Sequence, residues 1–146
     1  GSQTAAVYRI LGDLYLESIR PERAEAVFLR ILEKEPRLGK IPPSVEAYAM
    51  IQIALALDRI RGRREEALVW LSKLVERREL VGTHWHGLGM FRLALFTSNQ
   101  TQDFGLAIPL YQEMLSLYPD HEVSELATAY LCLCAIRIKD APLARK

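Results

Sequence analysis

The one histidine cluster in the chain is His84-Trp85-His86. A His-x-His pair can ligate a metal, but a metal centre needs three or four ligands held in fixed geometry. No Cys or carboxylate joins the pair locally, and His121 is distant in sequence. The segment therefore reads as the entry to a helix with Thr83 as its cap. Arg59, Arg61, Arg63 and Arg64 form a basic knot around Gly62, which on a nucleic-acid protein could meet phosphates. Glu65 and Glu66 follow at once, and no platform for stacking bases accompanies them. The reading is a solvated turn. Asn99-Gln100-Thr101 matches the glycosylation triplet, which matters only in a secreted eukaryotic protein. Cys132 and Cys134 are two apart on a predicted helix and point to nearly opposite sides, so they cannot bridge each other. There is no Gly-rich phosphate loop, no nucleophile elbow and no paired-carboxylate site. Catalysis needs polar groups converging in a pocket, so no catalytic residue, metal or cofactor is expected, and the chain reads as a non-enzyme.

Composition points the same way. Half of the 146 residues are hydrophobic, which argues against disorder and for one compact domain. A net charge of +1 supplies no field to steer nucleic acid or an acidic membrane. The most apolar runs, Ala47–Leu57 and Leu88–Phe96, are shorter than a membrane span and carry Gln52 and Arg92, so no membrane insertion is expected. Two free thiols fit a reducing, cytoplasmic setting. Gly1-Ser2 reads as an expression scar, leaving one helical domain over residues 3–146.

The elements that must position any site are legible in the first quarter of the chain. Tyr8, Leu11, Gly12, Tyr15, Ala24, Phe28 and Pro36 describe two short amphipathic helices, a tight turn and a stop. Gly12 and Ala24 stand where the two helices cross most closely, with the aromatics around that crossing. Counted from Ala5, the seven residues hold positions 4, 7, 8, 11, 20, 24 and 32. This spacing resembles the tetratricopeptide repeat. Three further units repeat it less cleanly. In the second, Ala67, Leu71 and Leu74 mark the outer helix and Met50, Ile53, Ala54 and Leu57 the inner one, with Glu79 where Pro is expected. In the third, Ala107, Tyr111, Met114 and Pro119 mark the outer helix and Met90, Leu93, Ala94 and Thr97 the inner one. A fourth inner helix offers Thr128, Leu131, Cys132 and Ala135, with Ala144 as the small residue opening the next outer helix. The alanines Ala24, Ala67, Ala107 and Ala144 are 43, 40 and 37 residues apart, against a family standard of about 34; the excess sits in Arg37–Pro43 and Leu80–His84. The resemblance implies an all-α, right-handed solenoid of helical hairpins with about seven helices, in units near 5–38, 44–79, 84–120 and 122–146, the last cut short.

The two kinds of helix differ. The outer helices are amphipathic: in Pro21–Glu35 the stripe Ala24, Val27, Phe28, Ile31 and Leu32 opposes Glu22, Arg23, Glu25, Arg30 and Glu33, a single buried side. The later inner helices are apolar almost all round. The repeat register places Ile51, Leu55, Phe91, Leu95 and Leu133 toward a concave groove, edged by Arg9, Asp13, Tyr48, Gln52, Arg92, Tyr130 and Arg137. Such a surface suits an amphipathic helix or peptide, and large side chains such as Phe91 and Tyr130 would be its hot spots. Some cochaperones of the family hold a C-terminal carboxylate with a clamp of Lys, Asn, Asn, Lys and Arg. The matching positions here are Arg9, Asp13, Gln52, Leu88 and Arg92; Asp13 would repel a carboxylate and Leu88 lacks charge, which disfavours acidic chaperone tails. The expectation is a scaffold or adaptor module that binds a protein or peptide. The alternative is a regulatory or sensing segment of a larger transcription regulator or secretion and assembly protein. Self-association through the uncovered flank of the last helix, Leu131 and Ile136 included, is a further expectation.

Overall fold

The computed structural model describes residues 9, 10, 13, 20–33 and 41–144, with side chains through 139. Tyr8, Leu11, Gly12, Tyr15 and Pro36 lie outside the described residues. Arg9, Ile10 and Asp13 are helical. Six α-helices have both ends among the described residues, rather than the seven expected, and no strand occurs among those residues. They are α1 (Pro21–Leu32), α2 (Pro43–Arg59), α3 (Arg64–Glu76), α4 (His84–Asn99), α5 (Phe104–Leu117) and α6 (Ser124–Ala144), with a 3₁₀ turn at Arg78–Leu80. The chain forms two compact units, Gly1–Trp85 and His86–Lys146.

The helix starts follow local chemistry. Pro21 and Pro43 open α1 and α2, where the missing N–H costs nothing and the fixed φ is already helical. Glu65 and Glu66 lie in the first turn of α3, favourable beside the positive helix end. Asp103 caps α5 by accepting from the Leu106 amide at 3.1 Å. Gly62, in the turn after α2, and Gly82, before α4, have φ of +85° and +93°, a left-handed conformation that side chains resist.

In the first unit α1 packs on α2 and α2 on α3. Arg63 ties the ends of this stack together: its guanidinium meets both carboxylate oxygens of Glu25 at 2.6 and 2.8 Å and those of Glu66 at 2.6 and 2.9 Å. The second unit holds α4 from His86 onward, α5 and α6, with α5 packed on α6 and joined to α4 through the Phe91–Tyr111 contact. Across both units the outer helices bury the same three positions. Ala24, Phe28 and Ile31 in α1, Ala67, Leu71 and Leu74 in α3, and Ala107, Tyr111 and Met114 in α5 are all buried, at offsets of 0, 4 and 7 residues. The inner helices α2 and α4 likewise bury Met50, Ile53, Ala54 and Leu57, and Met90, Leu93, Ala94 and Thr97.

Two expectations need correction. Helix α6 runs unbroken from Ser124 to Ala144, so Ala144 belongs to this helix and does not open a new outer one. Residues 125–141 hold no Gly or Pro to end the helix, and Pro142 falls only in its last turn. The second correction concerns burial: in α6 Thr128, Cys132 and Ala135 are exposed and Leu131 is half-buried, unlike their counterparts in α2 and α4.

Candidate functional site

In the first unit the polar residues expected to edge a groove satisfy one another. Asp13 Oδ1 accepts a short hydrogen bond from the Tyr48 hydroxyl and one from Gln52 Nε2 at 3.0 Å, and Gln52 Nε2 also lies 3.2 Å from the Tyr48 oxygen. The Arg9 guanidinium sits 4.3 Å above the Tyr48 ring, where the electron-rich face attracts it. Tyr48 is buried and meets Phe28 and Trp85 edge-on. Burial first, then the Asp13 carboxylate, pushes its hydroxyl from the ordinary 10.0 up to about 12. Ile51 is 1% exposed and Leu55 half-buried. Ile51 therefore fills the core instead of lining a groove, because a helix apolar on every side has its sides covered. A cavity of about 500 Å³ lies among Leu32, Met50, Trp70, Lys73, Glu76 and the Glu46–Arg77 ion pair, whose contact is 2.7 Å.

The second unit assembles a different arrangement. Phe91, Tyr111 and Tyr130, from α4, α5 and α6, form a triangle with ring centroids 6.1 to 6.3 Å apart. Phe91 is 3% exposed, so it too serves the core, and the expectation that it anchors a partner directly is corrected. Its register points it at the α5–α6 hairpin, where the two tyrosine rings cover it. Beside the triangle is a cavity of about 250 Å³ lined by Ser98, Asn99, Gln102, Phe104, Tyr130, Leu133, Cys134 and Arg137. Three expected site residues, Tyr130, Leu133 and Arg137, meet here. Leu133 is half exposed, and the Arg137 guanidinium lies 5.5 Å over the Phe104 ring. The Tyr111 hydroxyl, 3.4 Å from Ser98 Oγ, is pushed up to about 12 by burial. Burial also raises the Cys134 thiol, which keeps it protonated and unreactive. Leu95 and Arg92 are half-buried, and Arg92 Nε is buried with no hydrogen-bond partner among the described residues.

Sequence reasoning missed Ser98, Asn99, Gln102, Phe104 and Cys134. One signal was available: Asp103 ahead of an apolar run marks a helix start, which sets residues 100–102 in the α4–α5 turn, with Ser98 and Asn99 closing α4. Gln102 takes φ +55° there, an uncommon conformation for a residue with a side chain.

The histidines divide. His84 is exposed, with its ring against Trp85. His86 is 1% exposed, its Nδ1 lying 2.8 Å from the Tyr118 hydroxyl. The Thr83 hydroxyl donates to the Leu80 carbonyl at 2.7 Å. Among the described residues no group of three or more His, Cys, Asp or Glu could hold a metal ion, and no helix is long and apolar enough to cross a membrane. Compared with known proteins, the chain matches no family model, no curated protein and no solved structure.

Proposed function

We propose that this chain is a non-catalytic protein–protein interaction module, built as a tetratricopeptide-like right-handed solenoid of helical hairpins, that docks a segment of a partner protein on its second unit. Support for the repeat reading is the recurrence of buried small, large and large residues at the same offsets in α1, α3 and α5. The observation that carries the docking reading is the cavity shared by Tyr130, Leu133 and Arg137. At about 250 Å³ it falls below the usual range for a small-molecule pocket, about 300–1,000 Å³. It suits one large side chain of a bound peptide. Phe104, Leu133 and Tyr130 supply the apolar wall. Arg137 and the amides of Asn99 and Gln102 supply donors for a peptide carbonyl or carboxylate at the rim.

A displayed random-peptide library selected on the chain tests this. Peptides carrying a large apolar residue next to an acidic one are expected. Leu133→Asp or Arg137→Ala should weaken them about tenfold, the value of losing one good anchor, with helicity unchanged. Selected peptides that bind both variants as well as the parent would rule out this site.

A further inference from the structure

We propose that α6 pairs antiparallel with α6 of a second copy, through the face that carries Cys132. In α2 and α4 the residues at offsets 0, 3, 4 and 7 are buried in hairpin packing. The corresponding face of α6 is exposed at Thr128, Cys132 and Ala135, and Ile136 beside it is 55% exposed. Its centre lies away from the peptide cavity: at 100° per residue Cys132 sits about 140–160° from Tyr130, Cys134 and Arg137 and about 100° from Leu133, the cavity residue nearest the face.

The face is built of small residues. Thr128, Ala129, Cys132 and Ala135 repeat at spacings of three and four, which keeps them on one stripe and lets a second helix approach closely.

Charge selects the occupant. Glu125 lies at one end of the stripe and Lys139 at the other, both exposed and both without an ion pair among the described residues. Each stands seven residues from Cys132, two helical turns away on the same face. A two-fold axis at Cys132 is isologous. It sets Glu125 of each copy against Lys139 of the other, Thr128 against Ile136 and Ala129 against Ala135. A parallel arrangement would instead put like charges side by side, at a cost. The stripe is thus self-complementary in one orientation only.

Sedimentation equilibrium at about 10–100 µM, where a modest helix-pair interface is populated, should give twice the 16.6 kDa chain mass. Ala135→Glu should give the monomer with helicity retained. Glu125→Lys or Lys139→Glu alone should weaken the dimer about threefold to tenfold, and the double swap should restore it to within about twofold, as a paired-charge cycle requires. A short bis-maleimide should join two copies through Cys132, and Cys132→Ser should abolish the product. A monomeric parent would overturn the proposal and assign the face to some other chain segment or protein. So would a dimer that the double swap leaves as weak as the two single changes combined.

Discussion

The rings of Tyr111 and Tyr130 lie parallel to within 7°, their centroids 6.3 Å apart. Tyr111 is fully buried on α5, while Tyr130 on α6 is half-buried and borders the cavity. The buried ring thus backs a ring that a partner can touch. Truncating the two should have different consequences. Tyr111→Ala leaves a void where α4, α5 and α6 meet and should cost about 3–5 kcal/mol, by analogy with large aromatic truncations. Tyr130→Ala should cost about 1–2 kcal/mol, since the lost ring is only partly buried. Urea unfolding of the two variants checks the order.

Alkaline pH should loosen both units. The folded hydroxyls of Tyr48 and Tyr111 ionise near 12, against 10.0 ordinarily. Unfolding therefore releases protons between those values, and stability falls as pH rises. The contribution of each tyrosine is fully present below pH 10 and lost progressively up to about 12, on the order of 2–3 kcal/mol per residue for a two-unit shift. Tyrosinate absorbance should show these two phenols titrating late and together with the loss of helicity. Ionisation at the ordinary value with the fold intact would contradict the burial argument.

Two helical glycines should respond oppositely to alanine. A Cβ on Gly87 would fall 2.7 Å from His121 Cδ2 and 3.1 Å from Tyr118 Cγ, so α4 meets the α5–α6 turn through that glycine. Gly87→Ala should destabilise by about 1–2 kcal/mol, the overpacking cost less the gain in helix propensity. A Cβ on Gly105 meets only Asp103 Oδ1, at an ordinary 3.8 Å. Gly105→Ala should stabilise by up to about 1 kcal/mol. Thermal unfolding of the two variants gives the signs directly.

Much of the helical layout was legible in the chain because it rests on local rules. Pro21, Pro43 and Asp103 announce helix starts, and the stripes around Ala24, Ala67 and Ala107 name the buried side before any packing is known. The all-round apolar helices were where this failed. Ile51 and Phe91 sit on helices whose hydrophobicity has little direction, so periodicity cannot separate a residue facing a groove from one facing a neighbour. Both proved to be core. The end of α6 was misread for a related reason: Ala144 matched a spacing, but spacing does not make a turn, and the helix continues through Pro142 to Ala144.

By itself the amino-acid order determined that the chain is helical, which positions of α1, α3 and α5 go inside, and where most helices begin, because each depends on neighbours within a turn or two. Only tertiary packing decided that Asp13, Tyr48 and Gln52 engage one another across 35 and 39 residues. It also decided that Tyr130, Leu133 and Arg137 share a cavity with the distant Ser98 and Phe104, and that one flank of α6 stays uncovered. Those outcomes turn on which surfaces lie within a few ångströms after folding, and a one-dimensional pattern of residue types does not carry that distance.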